Sequence, residues 1–217
     1  MESKRLSQVR SAPSESQSKT KVMAIGCIHG NQNLMERLAK RAKDENIDLI
    51  ILAGDLTFAE RSTENIIGPF AREKKQVLMV PGNHESVATV DFLQDMYSNS
   101  KNIHGTSFSN GNLGVFGAGG ADIGIHMISE KEIFELLKKG NSELNTEKKI
   151  MVTHIHPSNT RSEFSGFKGS KGVRKAIDEF QPDIAVFAHI HEASGFEEQI
   201  GKTRLINVSR KEKVFEI

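Results

Sequence analysis

The chain has 217 residues, of which 29 are Lys or Arg and 28 are Asp or Glu, so its net charge is only +1. This balance excludes the broad basic surface of a general nucleic-acid or anionic-membrane binder, and any anion site is expected to be local. No apolar run approaches the ~20 residues that span a bilayer. A single cysteine excludes an internal disulfide and is typical of a reducing compartment. We therefore expect a cytoplasmic protein with no membrane partner.

Residues 1–20 differ in composition from the rest of the chain. They contain six serines and few large apolar side chains, and they lack the apolar stretch of a secretory signal. A segment of this kind cannot offset the conformational entropy lost on ordering. The sequence therefore predicts a flexible N-terminal extension over residues 1–20, followed by one domain over residues 21–217.

The first half of that domain alternates short apolar runs with amphipathic segments. Repeated strand–helix–strand crossovers of this kind build a largely parallel sheet. The predicted elements are strands at 22–26, 48–53 and 76–80 and helices at about 32–45 and 60–74.

The second half begins with a hairpin signal. Asn110-Gly111 lies between Phe108 and Leu113, and Asn-Gly readily takes the positive φ of a tight turn, so a second, antiparallel sheet is expected there. Ser170 is a typical N-cap for a helix over 170–180. Two facing sheets covered by helices accommodate all of these elements. The others are a helix at 129–139, strands at 149–153 and 183–187, and short meander strands at 195–199, 203–208 and 213–217.

Five short segments with metal-binding side chains each follow one of the predicted strands. Because open α/β sheets bind ligands at the carboxyl ends of their strands, these side chains are expected to converge after folding. One such segment is weak evidence, but five in a fixed order predict a metal centre. The segments are Cys27-Ile28-His29-Gly30-Asn31, Gly54-Asp55, Gly82-Asn83-His84-Glu85, Thr153-His154 and His189-Ile190-His191.

This donor set suits phosphoester hydrolysis by two metal ions. Two cations about 3.5–4 Å apart can neutralise phosphate charge while a hydroxide that bridges them attacks phosphorus. Asp55 is the only carboxylate placed to bridge the ions, and Gly54 allows a tight turn beside it. Neutral imidazole and amide donors fill the other positions without repelling an anionic substrate. These donors are His29, Asn83, His154, His189 and His191.

More specific roles are expected for the His-x-His pair and for the residues that follow Asn83. His-x-His on an extended segment places both rings on one side, so His189 and His191 are expected to reach different metals. His84 follows the proposed ligand Asn83 and points elsewhere, and we expect it to donate a proton to the leaving oxygen. Glu85 is expected to orient His84, as carboxylates orient imidazoles around metal ions.

Other polar residues are weaker candidates. His104 and His126 are expected to be surface or loop residues outside the site. His156 is a minority candidate for a substrate contact because it lies close to His154 in the chain. Three basic residues near a predicted helix start could attract a phosphate, although a solvated helix face is the commoner explanation. They are Lys168, Lys171 and Arg174.

Taken together, the segments resemble the calcineurin-like metallophosphoesterase superfamily, whose pattern runs Asp-x-His, Gly-Asp, Gly-Asn-His-Asp/Glu, His and Gly-His-x-His. The resemblance spans residues 21–209. Within it, residues 169–174, 181–183 and 188–192 are similar to the Icc-related branch of small phosphoesterases. The resemblance implies an α/β fold, a four-layer αββα sandwich of two mixed β-sheets flanked by helices, which agrees with the expected strands and hairpin.

The resemblance also implies a set of roles. It implies two divalent transition metal ions, Mn, Fe or Zn, and a small phosphoester substrate, with phosphodiesters ahead of monoesters. The oligomeric state stays open. By resemblance, His29 and His191 bind the first metal, Asp55 bridges, Asn83, His154 and His189 bind the second metal, and His84 is the catalytic imidazole.

Two positions depart from the family pattern. Ala188 replaces a glycine, a small-for-small change, whereas Cys27 replaces the first aspartate of the first metal site. A thiolate has the charge of a carboxylate but is softer, so Cys27 as a ligand favours zinc or iron over manganese or magnesium. The alternative is an uncoordinated buried thiol beside a weak or empty first site. The second hypothesis for function is therefore a catalytically weakened member that acts as a phosphate-binding or protein-interaction module.

Overall fold

Eleven strands and five α-helices make up residues 19–217, the part of the chain that the structure, a computed structural model, describes. The predicted extension over residues 1–20 lies outside this part except for its last two residues. The strands are β1 (Lys21–Ile25), β2 (Leu49–Ala53), β3 (Gln76–Val80), β4 (Ser100–Asn102), β5 (Ser107–Asn110), β6 (Leu113–Ala118), β7 (Lys148–Thr153), β8 (Ile184–Phe187), β9 (Glu197–Ile200), β10 (Thr203–Asn207) and β11 (Lys213–Glu216). The helices are α1 (Gln32–Asp44), α2 (Gly68–Arg72), α3 (Val87–Met96), α4 (Glu130–Ser142) and α5 (Lys171–Phe180), with short 3-10 helices at Arg161–Ser165 and His191–Ala193.

The strands form two mixed sheets. The first has the order β11-β1-β2-β3-β4, in which β11 alone runs antiparallel to its neighbour. The second has the order β5-β6-β7-β8-β10-β9, with four parallel central strands and an antiparallel strand at each edge. The parallel strands β1, β2, β3, β7 and β8 carry the segments with metal-binding side chains at their carboxyl ends.

Three apolar clusters separate four layers. Side chains alternate between the two faces of a strand, so Ile51 packs between the sheets while Ile50 packs beneath the helices α1 to α3. On the second sheet, Val152 joins the cluster between the sheets and Met151 joins the cluster beneath α4 and α5. The predicted four-layer αββα sandwich is therefore confirmed.

The longer helices begin at polar caps. Asn31 Oδ1 accepts the backbone N–H of Leu34 at 3.0 Å, and Ser170 Oγ accepts that of Val173 at 3.1 Å, as predicted for the last helix. Each bond satisfies an N–H group that has no partner within its helix. None of the helices within residues 19–217 is long and apolar enough to cross a membrane.

Several predicted elements were wrong in extent or partner. The helix expected at 60–74 is reduced to α2, because left-handed residues at Ala59, Glu60 and Asn65 form a loop first and Pro69 then starts the helix. Helix α3 and strand β4 were not predicted.

The hairpin at Asn110-Gly111 is confirmed, but the sheet that begins there is mixed and mostly parallel. The last three strands do not form a meander. Strand β10 lies between β8 and β9, and β11 crosses to the first sheet beside β1. Tertiary pairing, which short-range sequence patterns do not encode, decides these positions.

Candidate metal centre

All seven predicted ligands and His84 come together at one edge of the sandwich. The donor atoms of Cys27, His29 and His191 lie within 4.8 Å of one another, and so do those of Cys27, Asp55 and His154. A third such group joins His29, Asp55 and His84. Three of the contributing loops follow strands of the first sheet and two follow strands of the second sheet, so the cluster lies where the two sheets meet.

Four of these residues have an unusual backbone. Cys27, His29, Asp55 and His189 all have φ between 47° and 68°, a left-handed conformation that non-glycine residues seldom adopt. The loops after β1 and β2 are tied together in this conformation, because the backbone N–H of Cys27 donates to Gly54 O and that of His29 donates to Asp55 O, each at 2.9 Å. The surrounding hydrogen bonds thus maintain strained backbone at the residues that carry the donors.

Two glycines allow the loops to approach closely. Gly54 has φ +79°, and a Cβ atom added there would lie 2.5 Å from His154 Nδ1. A Cβ atom at Gly82 would overlap Asp55 Oδ1 and the Asp55 backbone nitrogen. Close packing around Asp55 therefore requires glycine at both positions.

Three potential donor atoms lie close to the ring of His154. The carbonyl oxygen of Ala53 can only accept, so the contact of 2.8 Å from His154 Nδ1 places a proton on Nδ1, and in the neutral ring the lone pair is therefore on Nε2. That Nε2 lies 3.1 Å from Asn83 Oδ1, 3.2 Å from His189 Nδ1 and 3.3 Å from Asp55 Oδ1. Donors bound tetrahedrally at about 2.0–2.1 Å are roughly 3.3 Å apart, so this spacing fits a transition metal.

A second group of potential donors includes the cysteine. Cys27 Sγ lies in a group with His29 and His191, whose ring centroids are 5.6 Å apart. His29 Nε2 is 3.8 Å from Asp55 Oδ2, and His29 Nδ1 is buried without a hydrogen-bond partner in residues 19–217. The backbone N–H of His189 donates to Cys27 Sγ at 3.3 Å. Sulfur, imidazole and carboxylate donors in this arrangement fit a soft divalent ion.

Burial sets the charge state of these donors. Burial, helped by the Asp55 carboxylate, raises the pKa of the Cys27 thiol to about 12. Burial also lowers the pKa of His29 to about 4 and that of His189 to about 3, so both rings are neutral at pH 7. Burial opposes ionisation of Asp55, but His154 and the neighbouring imidazoles outweigh it, and the Asp55 pKa is lowered. The site thus holds one anionic oxygen donor, the neutral imidazoles of His29 and His189, and a protonated thiol, whereas the pKa of His154 is raised because Asp55 outweighs the effect of burial.

The two histidines after β8 lie on a turn and a 3-10 helix, and not on the extended segment that was expected. His189 has φ +68°, and the backbone N–H of Ile190 donates to Ala188 O across it at 2.8 Å, which makes a three-residue γ-turn. His191 already begins a 3-10 helix. The expected strand-like alternation was therefore wrong, although the two rings do face different partners: His189 lies beside His154, and His191 lies beside His29.

His84 lies between the donor cluster and the outer loops. Its ring centroid is 4.9 Å from that of His29, and its backbone N–H donates to Asp55 Oδ1 at 3.2 Å. The carboxylate of Glu85 does not orient this ring. Its oxygens instead accept the backbone N–H groups of Gly82 at 2.6 Å and of Thr57 at 3.1 Å, so Glu85 joins the loops after β2 and β3.

The weaker candidates lie outside the cluster or have other partners. His104 accepts the Gly119 backbone N–H at 3.0 Å, and His126 lies on the loop that follows β6, as expected for loop residues. His156 is fully buried, and neither of its ring nitrogens has a hydrogen-bond partner in residues 19–217.

The start of α5 is not open to an anion. Glu130 Oε2 accepts the Ser170 hydroxyl at 2.5 Å and the Gly172 backbone N–H at 2.6 Å, so a carboxylate of the protein already occupies the helix N-terminus. Arg174 pairs with Asp178 at 3.0 Å. The phosphate-binding alternative for this basic cluster is not supported.

Two neighbours of the site were missed from the sequence. The ring of Phe58 lies 5.3 Å from that of His84, centroid to centroid. Arg210 donates its backbone N–H to Gly26 O at 2.9 Å, and its positive charge offsets a small part of the rise that burial and Asp55 produce in the pKa of Cys27. Neither residue lies in a motif, and only the pairing of distant loops brings them to the site.

The fold and the donor set together define a metal-dependent phosphoesterase. A model of the calcineurin-like phosphoesterase family matches residues 20–193. The chain belongs to this family, and it is a hydrolase that acts on phosphoric esters. The resemblance drawn from the sequence is thereby confirmed. Among curated proteins there is no match.

Solved structures share the fold at low sequence identity. TT1561 of Thermus thermophilus has a TM-score of 0.73 at 20% identity, over 91% of this chain and 99% of that one. A dimetal phosphatase from Danio rerio has a TM-score of 0.57 at 12% identity, over 87% and 86% of the two chains. An archaeal phosphodiesterase has a TM-score of 0.53 at 14% identity, over 91% and 99%.

Proposed function

We propose that this phosphoesterase hydrolyses phosphodiesters, with monoesters as second substrates, and that it uses two divalent transition metal ions. The position of Asp55 carries the proposal. One oxygen of its carboxylate faces His154 Nε2 at 3.3 Å, and the other lies 3.8 Å from His29 Nε2. A carboxylate with one oxygen toward each donor group suits a bridging ligand.

The donor groups divide into two sets that share Asp55. Bound at these sets, two cations supply charge neutralisation at the phosphate and lower the pKa of a water molecule. A sulfur donor at the first site favours the binding of zinc or iron over that of manganese or magnesium. The first set is Cys27, His29, Asp55 and His191, and the second is Asp55, Asn83, His154 and His189.

The protein's own groups hold and move protons around these ions. Ala53 keeps the proton of His154 on Nδ1, so that Nε2 faces the site as a lone pair. Asp55 stays ionised because neighbouring imidazoles lower its pKa. In this proposal His84, at the half-buried margin of the cluster, donates a proton to the oxygen that leaves phosphorus.

The buried thiol supports a second candidate function. Because the pKa of Cys27 is raised to about 12, metal binding at the first site must displace a proton from the thiol, which weakens binding at neutral pH. A chain that retains only the second site would be a catalytically weakened member, acting as a phosphate-binding or protein-interaction module.

Metal content and turnover separate the two functions. The protein is purified without chelator, its metals are counted by mass spectrometry, and hydrolysis of bis-p-nitrophenyl phosphate and p-nitrophenyl phosphate is measured with added Mn²⁺, Fe²⁺ or Zn²⁺. Two metals per chain with turnover support the hydrolase, whereas one or none without turnover supports the module. Asp55→Asn should abolish turnover, and Asp178→Asn, an exposed carboxylate on α5, is the matched control.

A small phosphoester remains the proposed partner, and the free Cys27 thiol supports the cytoplasm as the location.

A further inference from the structure

Phe58 is an exposed aromatic ring beside the proposed proton donor. Its side chain is 48% exposed, yet its ring lies 5.3 Å from the ring of His84, at an interplanar angle of 31°. The same ring is 6.1 Å from that of His29. Single exposed apolar side chains are common, but this ring differs from a scattered one because it lies beside two imidazoles of the candidate site.

The loop that carries Phe58 is firmly held. Residues Ala59 and Glu60 both have left-handed φ, of 51° and 57°. The Thr57 hydroxyl accepts the backbone N–H of Glu60 at 3.1 Å. The Glu60 carboxylate in turn accepts the Ser86 backbone N–H at 2.8 Å and the Thr89 hydroxyl at 2.6 Å. These bonds maintain the strained turn and fix the position from which the ring extends.

A planar group already lies over the ring. The Arg61 guanidinium is 5.3 Å from the ring centroid of Phe58. Arg61 is exposed and forms no ion pair with any residue between 19 and 217. The face of the ring therefore has a cationic, planar neighbour, and that neighbour forms no ion pair within this part of the chain.

Resting on the proposed function, we propose that Phe58 forms the subsite for the leaving group and favours aryl phosphoesters, in which the flat ring is bonded directly to the departing oxygen. The oxygen that His84 protonates is the atom to which the leaving group is attached. Anything bonded to that oxygen lies next to Phe58, where a flat ring can stack in the place that the guanidinium now takes. Phe58 is thus a specificity residue that contacts substrate.

Two substrates of equal reactivity test the subsite. One phosphodiester has an aryl leaving group, and the other has a fluoroalkyl leaving group of matched acidity. We compare kcat/KM for both in the wild type, in Phe58→Leu, which keeps an apolar side chain without a flat face, and in Phe92→Leu. Phe92 is the matched control because it is a phenylalanine of similar exposure, 51%, on α3.

Phe58→Leu should lower the ratio of aryl to fluoroalkyl kcat/KM about tenfold, the size expected for one stacking contact, and Phe92→Leu should leave the ratio unchanged. An unchanged ratio in Phe58→Leu, with both substrates slowed equally, would show that Phe58 only positions His84 and would overturn the inference. A fall in the ratio in Arg61→Ala but not in Phe58→Leu would assign the contact to the guanidinium instead and would also overturn it.

Ligand binding separates this inference from the proposed function. If the metal-loaded wild type turns over neither substrate, the proposed function fails. Calorimetry with phenylphosphonate and ethylphosphonate then still tests the subsite. Binding of phenylphosphonate about tenfold more tightly, lost in Phe58→Leu, supports it, and equal affinities would overturn it.

Discussion

In the proposed function, Cys27 is the residue on which the first metal site depends. It occupies the place of a family aspartate, its backbone is left-handed, and its sulfur lies within 4.8 Å of donor atoms of His29, His191, Asp55 and His154. The thiol thus lies at the boundary between these donor atoms and the apolar cluster between the sheets. Its chemistry as a ligand can be tested by restoring the carboxylate.

Cys27→Asp should keep phosphodiesterase activity within about tenfold and should shift the preferred metal toward manganese, because an oxygen donor replaces a soft sulfur donor. Activity is measured across a series of metals for both proteins. Complete loss of activity in the variant would contradict the view that the thiolate substitutes for a carboxylate.

Proton release gives an independent test of the same ligand. The pKa of the thiol is raised to about 12, so Cys27 is protonated at pH 7.5 and must lose its proton to bind a metal. An aspartate at this position is already ionised. Zn²⁺ binding should therefore release about one proton more from the wild type than from Cys27→Asp, as measured by calorimetry in buffers of different ionisation enthalpy. Equal release would leave Cys27 outside the metal site.

At the scale of elements, the turn after β3 fixes the carboxylate of Asp55. Gly82 lies against Asp55, and the next two backbone N–H groups, of Asn83 and His84, both donate to Asp55 Oδ1, at 3.0 and 3.2 Å. Any side chain at Gly82 must displace backbone and break this arrangement.

Gly82→Ala should therefore destabilise the protein by about 2 kcal/mol or more and reduce bound metal below one ion per chain. Gly68→Ala is the control, because a Cβ there first meets the Tyr97 hydroxyl, at 3.3 Å. Denaturant unfolding and metal analysis are measured on both variants. A Gly82→Ala protein with normal metal content would show that the loop can rearrange around Asp55.

For the whole molecule, burial of neutral imidazoles makes the metal-free protein sensitive to acid. The pKa of His29 is lowered from 6.5 to about 4 and that of His189 to about 3, so the unfolded chain binds more protons than the folded chain below pH 6.5. The free energy of unfolding of chelator-treated protein should fall by a few kcal/mol, as an order of magnitude, between pH 6.5 and pH 4. His154, whose pKa is raised by Asp55 despite its burial, adds stability only as pH falls toward 6.5 and does not change in this window.

Denaturant titrations at several pH values measure this slope, and His29→Gln should make it shallower because one titrating ring is removed. A flat profile between pH 6.5 and pH 4 would show that the rings titrate normally in the folded protein.

The sequence was sufficient for features that depend on local pattern. Apolar runs followed by Asp55, Asn83 or His154 identified strands and the edge at which their ends meet. Features that depend on contacts between distant parts of the chain could not be predicted from the sequence. The γ-turn at His189 forms in a loop held between other strand ends, and β11 finds β1 nearly two hundred residues earlier in the chain.

The two sheets contribute different donors: Cys27, Asp55 and Asn83 follow strands of one, and His154 and His189 follow strands of the other. A cation held between them is therefore a noncovalent cross-link across the interior of the sandwich. Metal binding requires the two sheets to be packed together, so part of the binding free energy is spent on maintaining that packing. Mutations between the sheets, far from any donor, should therefore weaken metal binding.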